Sequence, residues 1–333
     1  FRSHLGRPKG RPSPAMSLRP VAARLQELLG RPVVFASDCV GPSAEAAVAG
    51  APEGGAVLLE NLRFHPEEER DDPAFAAGLA ALADVYVNDA FGAAHRAHAS
   101  TAGIAAYVQP AACGFLMQKE LDALGHALTK AEKPYVAIVG GAKVSDKIEL
   151  IENFLNLATE ILIGGAMAYT FMRAKKVSTG KSLVEADKID LAADLLERAK
   201  KAGVALELPV DHVVAAGLDA TESQITPIDQ TPDDRMGLDI GPETVKRYSA
   251  IIARAKTIVW NGPMGVFENP RFSQGTFAIA RAVAESSAFS IIGGGDSAAA
   301  VAQSGMESKI THISTGDRKS TRLNSSHVSE SRM

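Results

Sequence analysis

The stretch Tyr135–Leu150 reads YVAIVGGAKVSDKIEL: an unbroken apolar run, two glycines, and then a segment carrying Lys143 and Lys147. A run this continuous suits a strand buried on both faces, as in a parallel sheet sandwiched between helices. Glycines at its end let a ligand approach the backbone, and the N-terminus of a following helix adds partial positive charge. The two lysines lie four apart, which on the first turns of a predicted helix puts both on one face, above the sheet. Such a lysine pair is ordinarily a solvated surface, but directly after two glycines at a strand end the balance turns toward anion binding.

The same order of apolar run and small-residue break recurs in RPVVFAS, GAVLLEN, ADVYVNDA, TEILIGGA, KTIVWNGP and AFSIIGGG. These runs alternate with amphipathic stretches such as LAADLLERAKKAG, which describes βαβ units. At 333 residues the chain is long for one domain and suits two, each with its own core. Apolar residues at helical spacing over 114–133, before Pro134, predict a connecting helix. It separates an N-terminal lobe, 1–113, from a C-terminal lobe, 134–316. Residues 317–333 lose apolar periodicity and read as a disordered, foreign tail.

A formal charge of -4 offers no field for nucleic acid or an anionic membrane, so any anion chemistry must be local. No apolar run reaches the ~20 residues that span a bilayer. Two cysteines, Cys39 and Cys113, with no CxxC and no His partner at metal-ligand spacing, support neither a disulfide framework nor a zinc site, and a reducing cytoplasm is the simplest setting. The chain opens on Phe1 with no apolar signal segment behind its basic residues, which suggests that a piece is missing.

Three glycine clusters stand at predicted strand ends: Gly140 and Gly141, Gly164 and Gly165, and Gly293 to Gly295. Three on successive βα loops suggest a polyphosphate site, where ligands of open α/β sheets bind. Asp296 and Ser297 open the helix after the last cluster, where capping is one role and holding hydrated Mg²⁺ another. Asn261 and Glu268 in WNGPMGVFE are polar candidates for the same site. The first half is different: His4 and Arg7, Arg63, and His95, Arg96 and His98 follow strand-like runs, and guanidinium groups suit carboxylate and phosphate. A scatter of surface arginines is the plain alternative. A Rossmann oxidoreductase would need GxGxxG with a later acidic residue, which is not found, and GxxxxGK[ST] is also unmet. A two-lobed anion sensor without chemistry has no use for Lys143 and Asp296 opposite a basic pocket.

Taken together, SHLGRPKG, LLENLRFHPEEE, VNDAFGAAHRAHAS, VGGAKVSDKI, WNGPMGVFE and GGGDSAAAV resemble the signatures of phosphoglycerate kinase, in order and spacing, from about Ser3 to Gly316. The resemblance implies an α/β protein of two Rossmann-like three-layer lobes with parallel sheets. It implies a monomeric cytoplasmic kinase of glycolysis that binds 3-phosphoglycerate or 1,3-bisphosphoglycerate on the first lobe and Mg²⁺ with ADP or ATP on the second. His4, Leu5, Gly6, Arg7, Arg63 and Arg96 are then substrate-binding positions. Gly140, Gly141, Lys143, Lys147, Gly164, Gly165, Gly237, Asn261, Glu268, Gly294, Gly295, Asp296 and Ser297 are nucleotide-binding positions, with Asp296 at the metal. Lys143, Arg7 and Gly295 are the catalytic positions, Lys143 resembling the lysine that steadies the phosphoryl group in flight. The family's RVDFNVP-like strand is expected before Phe1, and its STGGGAS-like loop breaks off after Gly316. The chain therefore reads as a fragment, with little activity and reduced stability expected.

Overall fold

The computed structural model describes residues 1–314 and 316; the interrupted loop at 315 and the tail reading over 317–333 lie outside the described residues. The chain divides into two compact units, Phe1–Lys119 and the remainder from Glu120, so the division falls inside the helix Phe115–Thr129.

In the first unit, β1 (Val33–Phe35) pairs in parallel with β2 (Ala56–Leu58), and β3 (Tyr86–Asn88) with β4 (Ala111–Cys113). Residues 1–3 run beside β2: the Phe1 ammonium donates to the Val57 carbonyl at 2.5 Å, and Leu59 N–H donates back to the Phe1 carbonyl at 2.9 Å. Leu59, Phe75, Leu79 and Ile104 form the centre of this unit's core.

The second unit carries β5 (Tyr135–Val139), β6 (Glu160–Ile163), β7 (Ala205–Glu207), β8 (Asp211–Ala215), β9 (Gln224–Pro227), β10 (Met236–Ile240), β11 (Thr257–Asn261), β12 (Phe289–Gly293) and β13 (His312–Ile313). Six of these form one parallel sheet in the order β13-β12-β11-β5-β6-β7. Every residue of β5 is buried. Tyr135, Ala137 and Val139 pack against the helices Ile148–Leu157, Met167–Ala174 and Ile189–Ala202 on one face. Val136 and Ile138 pack against Pro242–Ala253 and Gln274–Glu285 on the other. That alternation along one strand is the pleat itself, and it makes the unit three layers. The expected parallel α/β architecture is present, with one addition: β10-β8-β9 is an antiparallel sheet with a register shift at Leu238. No helix among the described residues is long and apolar enough to cross a membrane.

The order of the main sheet decides where its loops meet. From β5 the chain moves outward to β6 and β7, then returns to β11 on the other side of β5, so the topology reverses between β5 and β11. Register places Val139 beside Asn261, Asn261 beside Gly293, and Ile163 beside Val139. Four strands thus end side by side, and the loops after them begin from one line.

Candidate functional site

Those loops bound a cavity of about 1000 Å³, lined among others by Gly141, Lys143, Lys147, Gly165, Gly237, Glu268 and Asp296. Gly140, Gly164, Asn261, Gly294 and Ser297 are buried beside these lining residues, and Gly295 is exposed next to Asp296. The first two clusters hold the loops together, which corrects the reading of them as phosphate-facing amides. Gly140 N–H donates to Asn261 O at 2.9 Å, Gly141 N–H to Pro263 O at 3.0 Å, Gly164 N–H to Val139 O at 2.9 Å and Gly165 N–H to Met264 O at 2.9 Å. A Cβ on Gly140 would sit 2.1 Å from Pro263 O, and one on Gly165 would sit 2.5 Å from Gly141 O. Glycine is required there because three backbones touch. Gly295 differs, with open space where a Cβ would project, at the start of the helix Gly295–Gln303 whose first amides have no intrahelical partners.

The lysine segment also departs from expectation. The helix begins at Ile148 with Lys147 as its N-cap, so Lys143 and Lys147 lie on the preceding turn and not on one helix face. Two anchors delay the helix: Val144 is fully buried, and Glu185 accepts both Ser145 N–H at 3.0 Å and Ser145 Oγ–H at 2.5 Å. Lys147 Nζ donates to Asn261 Oδ1 at the end of β11. Lys143 lines the cavity, is solvent-exposed, and its ammonium has no hydrogen-bond or ion-pair partner among the described residues.

Capping at the last glycine loop is likewise reassigned. Gly294, at φ +90°, is the N-cap, and Ser297 Oγ accepts Gly262 N–H at 2.6 Å, tying the β11 loop to this helix. Asp296 is left in the cavity wall near the helix start. Asn261 is 2% exposed, and its Nδ2, beside Gly294, is a buried donor without a hydrogen-bond partner among the described residues. A carboxylate, a buried amide donor and a helix N-terminus within one set of loops fit a hydrated magnesium that arrives with phosphate oxygens.

Several groups of this cavity escaped the sequence reading. Gly237 N–H donates to Ser182 Oγ at 2.9 Å, and a Cβ there would overlap Tyr169 Oη at 1.7 Å. Tyr169 Oη lies 2.9 Å from His212 Nδ1, and Thr231 Oγ1 lies 3.2 Å from His212 Nε2. Burial pushes the His212 imidazole down to about 4, so the ring is neutral and bridges the two hydroxyls. Asp239 is 3% exposed and burial pushes its carboxyl up to about 7, against the pull of the Gly275 and Ile240 N–H groups it accepts. Leu183, Leu218, Leu238 and Val266 supply an apolar part of the wall. In the sequence this region is marked only by Gly237, within MGLDIGPE.

In the first unit the structure gathers His4, Leu5, Gly6, Arg7, Arg63 and Arg96. Asn61 is the joint: its Oδ1 accepts Arg63 N–H at 3.0 Å, and its Nδ2 donates to the carbonyls of Leu5 and Met16, each at 2.9 Å. Arg63, 6% exposed, donates from Nη1 to Gly6 O at 2.9 Å and faces Glu69 at 3.4 Å. Leu5 therefore contributes its carbonyl, while its side chain is exposed. Burial, then Arg63, His98 and Arg96, push the His4 imidazole down to about 4. Arg63 in turn feels Arg96 and Arg7. The cationic groups are crowded enough to repel one another, a state that a bound anion relieves.

A family model described as phosphoglycerate kinase matches residues 1–323. The phosphoglycerate kinase of Solibacter usitatus is 57% identical over 314 residues, covering 94% of this chain and 79% of that protein. That of Anaeromyxobacter dehalogenans is 56% identical over 317 residues, covering 94% and 80%. The solved phosphoglycerate kinase of Coxiella burnetii superimposes with a TM-score of 0.85 at 43% identity, over 96% of this chain and 81% of that one. That of Pyrococcus horikoshii gives 0.76 at 33% identity, over 93% and 80%. With the glycine loops, the lysine turn and the arginine cluster in place on this fold, the chain belongs to the phosphoglycerate kinase family, phosphotransferases that act on a carboxyl group.

Proposed function

We propose that the protein catalyses reversible phosphoryl transfer between 1,3-bisphosphoglycerate and ADP, giving 3-phosphoglycerate and ATP, in a cytoplasmic glycolytic setting and as a monomer. Residues 1–113 hold the phosphoglycerate, 134–316 hold the nucleotide, and 114–133 act as the hinge about which closure brings the reactants together. The observation that carries the reading is Lys143: a cation that lines a nucleotide-sized cavity with no partner for its charge among the described residues.

The chemistry asks for position and charge rather than a base. A carboxylate and the β-phosphate of ADP carry no proton to remove at neutral pH, so in-line placement and cancellation of charge on the equatorial oxygens suffice. Lys143 and the Gly295 amide meet the transferring group from the nucleotide side, and Arg7 meets it from the phosphoglycerate side. Lys147, steadied by Asn261, pairs with nucleotide phosphate, and Glu268 takes the ribose hydroxyls. His4, Arg63 and Arg96 bind the phosphoglycerate anion. Bound Mg²⁺, held by Asp296, supplies charge neutralisation on the nucleotide phosphates. Closure also excludes the water that would hydrolyse an acyl phosphate.

The test is ATP consumption dependent on 3-phosphoglycerate, compared between the protein and Lys143→Ala. Removing one preorganised charge-stabilising donor costs about 10²–10³ in kcat, with Mg-ADP binding largely retained through Lys147. Turnover of Lys143→Ala within twofold of the unsubstituted protein refutes the assignment.

A further inference from the structure

We propose that Asp38, Cys39 and His65 form a binding site for a thiophilic divalent cation of the Zn²⁺ class, separate from the phosphoglycerate and nucleotide positions. Their ligand atoms, a carboxylate oxygen, a thiol sulfur and an imidazole nitrogen, all lie within 4.8 Å of one another. They come from two different loops. Asp38 and Cys39 follow β1 and His65 follows β2, so the parallel pair brings its two carboxyl-end segments to one point.

The donor set is selective. Sulfur with imidazole favours zinc, cobalt or copper over magnesium and calcium, which take oxygen alone. Three protein ligands with the fourth position left to water is a common arrangement for zinc. The rim is accessible, since the side chains of His65 and Asp38 are 30% and 44% exposed, while Cys39 sits at the base with 0% exposure.

The ligands are also held in place before any metal arrives. The His65 ring rests against Phe75, centroids 5.1 Å apart, and points Nε2 at Asp38 Oδ1 at 2.7 Å. Its backbone is fixed at both sides, with its N–H on Leu62 O at 3.1 Å and its carbonyl accepting Glu68 N–H at 3.3 Å. Cys39 N–H donates to Asp38 Oδ1 at 2.6 Å. Zinc–ligand bonds of about 2.0–2.3 Å place tetrahedral ligand atoms about 3.3–3.8 Å apart. Closing on a metal therefore asks the His65–Asp38 contact to open slightly and the sulfur to swing in, by up to about 1.5 Å.

Binding is a proton exchange: the Cys39 S–H bond breaks, a sulfur–metal bond forms, and the proton leaves to solvent. Affinity accordingly rises with pH. The ligated turn is next to Arg63, two residues before His65, so occupancy fixes the segment that carries this arginine.

Co²⁺ is the probe, titrated into the reduced full chain and read by absorption. The expected result is one equivalent giving a thiolate-to-cobalt charge-transfer band and the intense visible bands of a tetrahedral site, both displaced by Zn²⁺. Cys39→Ser should abolish the charge-transfer band, and Cys113→Ser, which removes the exposed second thiol, should leave it unchanged. His65→Gln should keep the fold and raise the cobalt midpoint by at least about tenfold, which keeps the test decisive if Cys39→Ser fails to fold. The absence of a thiolate band, its persistence in Cys39→Ser, its loss in Cys113→Ser, or an unchanged midpoint in His65→Gln each overturns the proposal.

Discussion

Replacing Gly165 by alanine drives a methyl group into the backbone contact that binds the nucleotide-side loops together. Gly165 has φ +66°, and a Cβ there would lie 2.5 Å from Gly141 O, 2.6 Å from Gly141 N and 3.0 Å from Pro263 O. None of these atoms is the end of a flexible side chain. The left-handed conformation costs an alanine about 1–2 kcal/mol, and overpacking adds about 1–3 kcal/mol, for a total of about 2–5 kcal/mol. Gly203 supplies the control, since it has φ +71° with nothing within 4 Å of its Cβ position. Gly203→Ala should therefore lose only the conformational part, and the difference between the variants, about 1–3 kcal/mol, isolates the clash. The assay is urea denaturation followed by tryptophan emission. The chain has one tryptophan, Trp260, fully buried in β11 with its indole N–H on Gly262 O at 2.7 Å, so the signal reports this unit. Equal midpoints for the two variants would show that the glycine contact is not tight, and the account of these loops would fail.

Other outcomes follow from the buried polar groups. Asp239 has a folded value of about 7 against an ordinary 3.8, so the folded state keeps a proton that the unfolded chain has lost. Stability contributed by the protonated carboxyl is therefore full below about pH 4 and is lost as pH rises to about 7, by up to about 4 kcal/mol. Asp239→Asn should flatten that slope in Trp260-detected unfolding at pH 5 and pH 8, and an unchanged slope removes Asp239 as its source. For His4 the sign runs the other way: its imidazole, held at about 4, is neutral at pH 7, and a bound anion favours the charged ring. Saturating 3-phosphoglycerate should raise the His4 titration midpoint in NMR by at least one pH unit, about 1.4 kcal/mol of coupling. A midpoint that stays near 4 places His4 outside reach of the anion. Arg63→Lys keeps the charge but loses the fork that holds Gly6 O, so the KM for phosphoglycerate should rise about 10–100-fold while the KM for nucleotide stays within twofold.

The main sheet was legible because burial on both faces forces an unmistakable pattern. Each quoted apolar run contains a strand of the structure, and YVAIV sits at the centre of the six-stranded sheet. The antiparallel sheet was not legible, and its residues show why. Asp211 on β8 is buried so that its carboxylate can accept the N–H groups of Glu243 and Thr244, and Asp239 on β10 is buried to accept Gly275 N–H. Carboxylates used as internal anchors look like surface residues in a sequence, and they break the alternation that marks a strand.

At the site, the residue types were legible but the partners were not. Glycine announces a missing Cβ, yet not which neighbour occupies the room, so Gly140 and Gly165 were read as phosphate contacts when backbone atoms fill that space. The two lysines looked equivalent at spacing i, i+4, and what separates them is Glu185, 40 residues from Ser145, which holds the turn out of the helix. Strand register then completes the division. Because Asn261 ends β11 directly beside Val139, its side chain meets Lys147 coming back over β5, and one ammonium is fastened to the sheet. The other, on Lys143, stays in the cavity with no partner for its charge among the described residues. An uncompensated cation has the most to gain from a phosphoryl group whose negative charge must be met in transit. The asymmetry between two similar lysines is thus a product of topology, and it underlies the role proposed for Lys143.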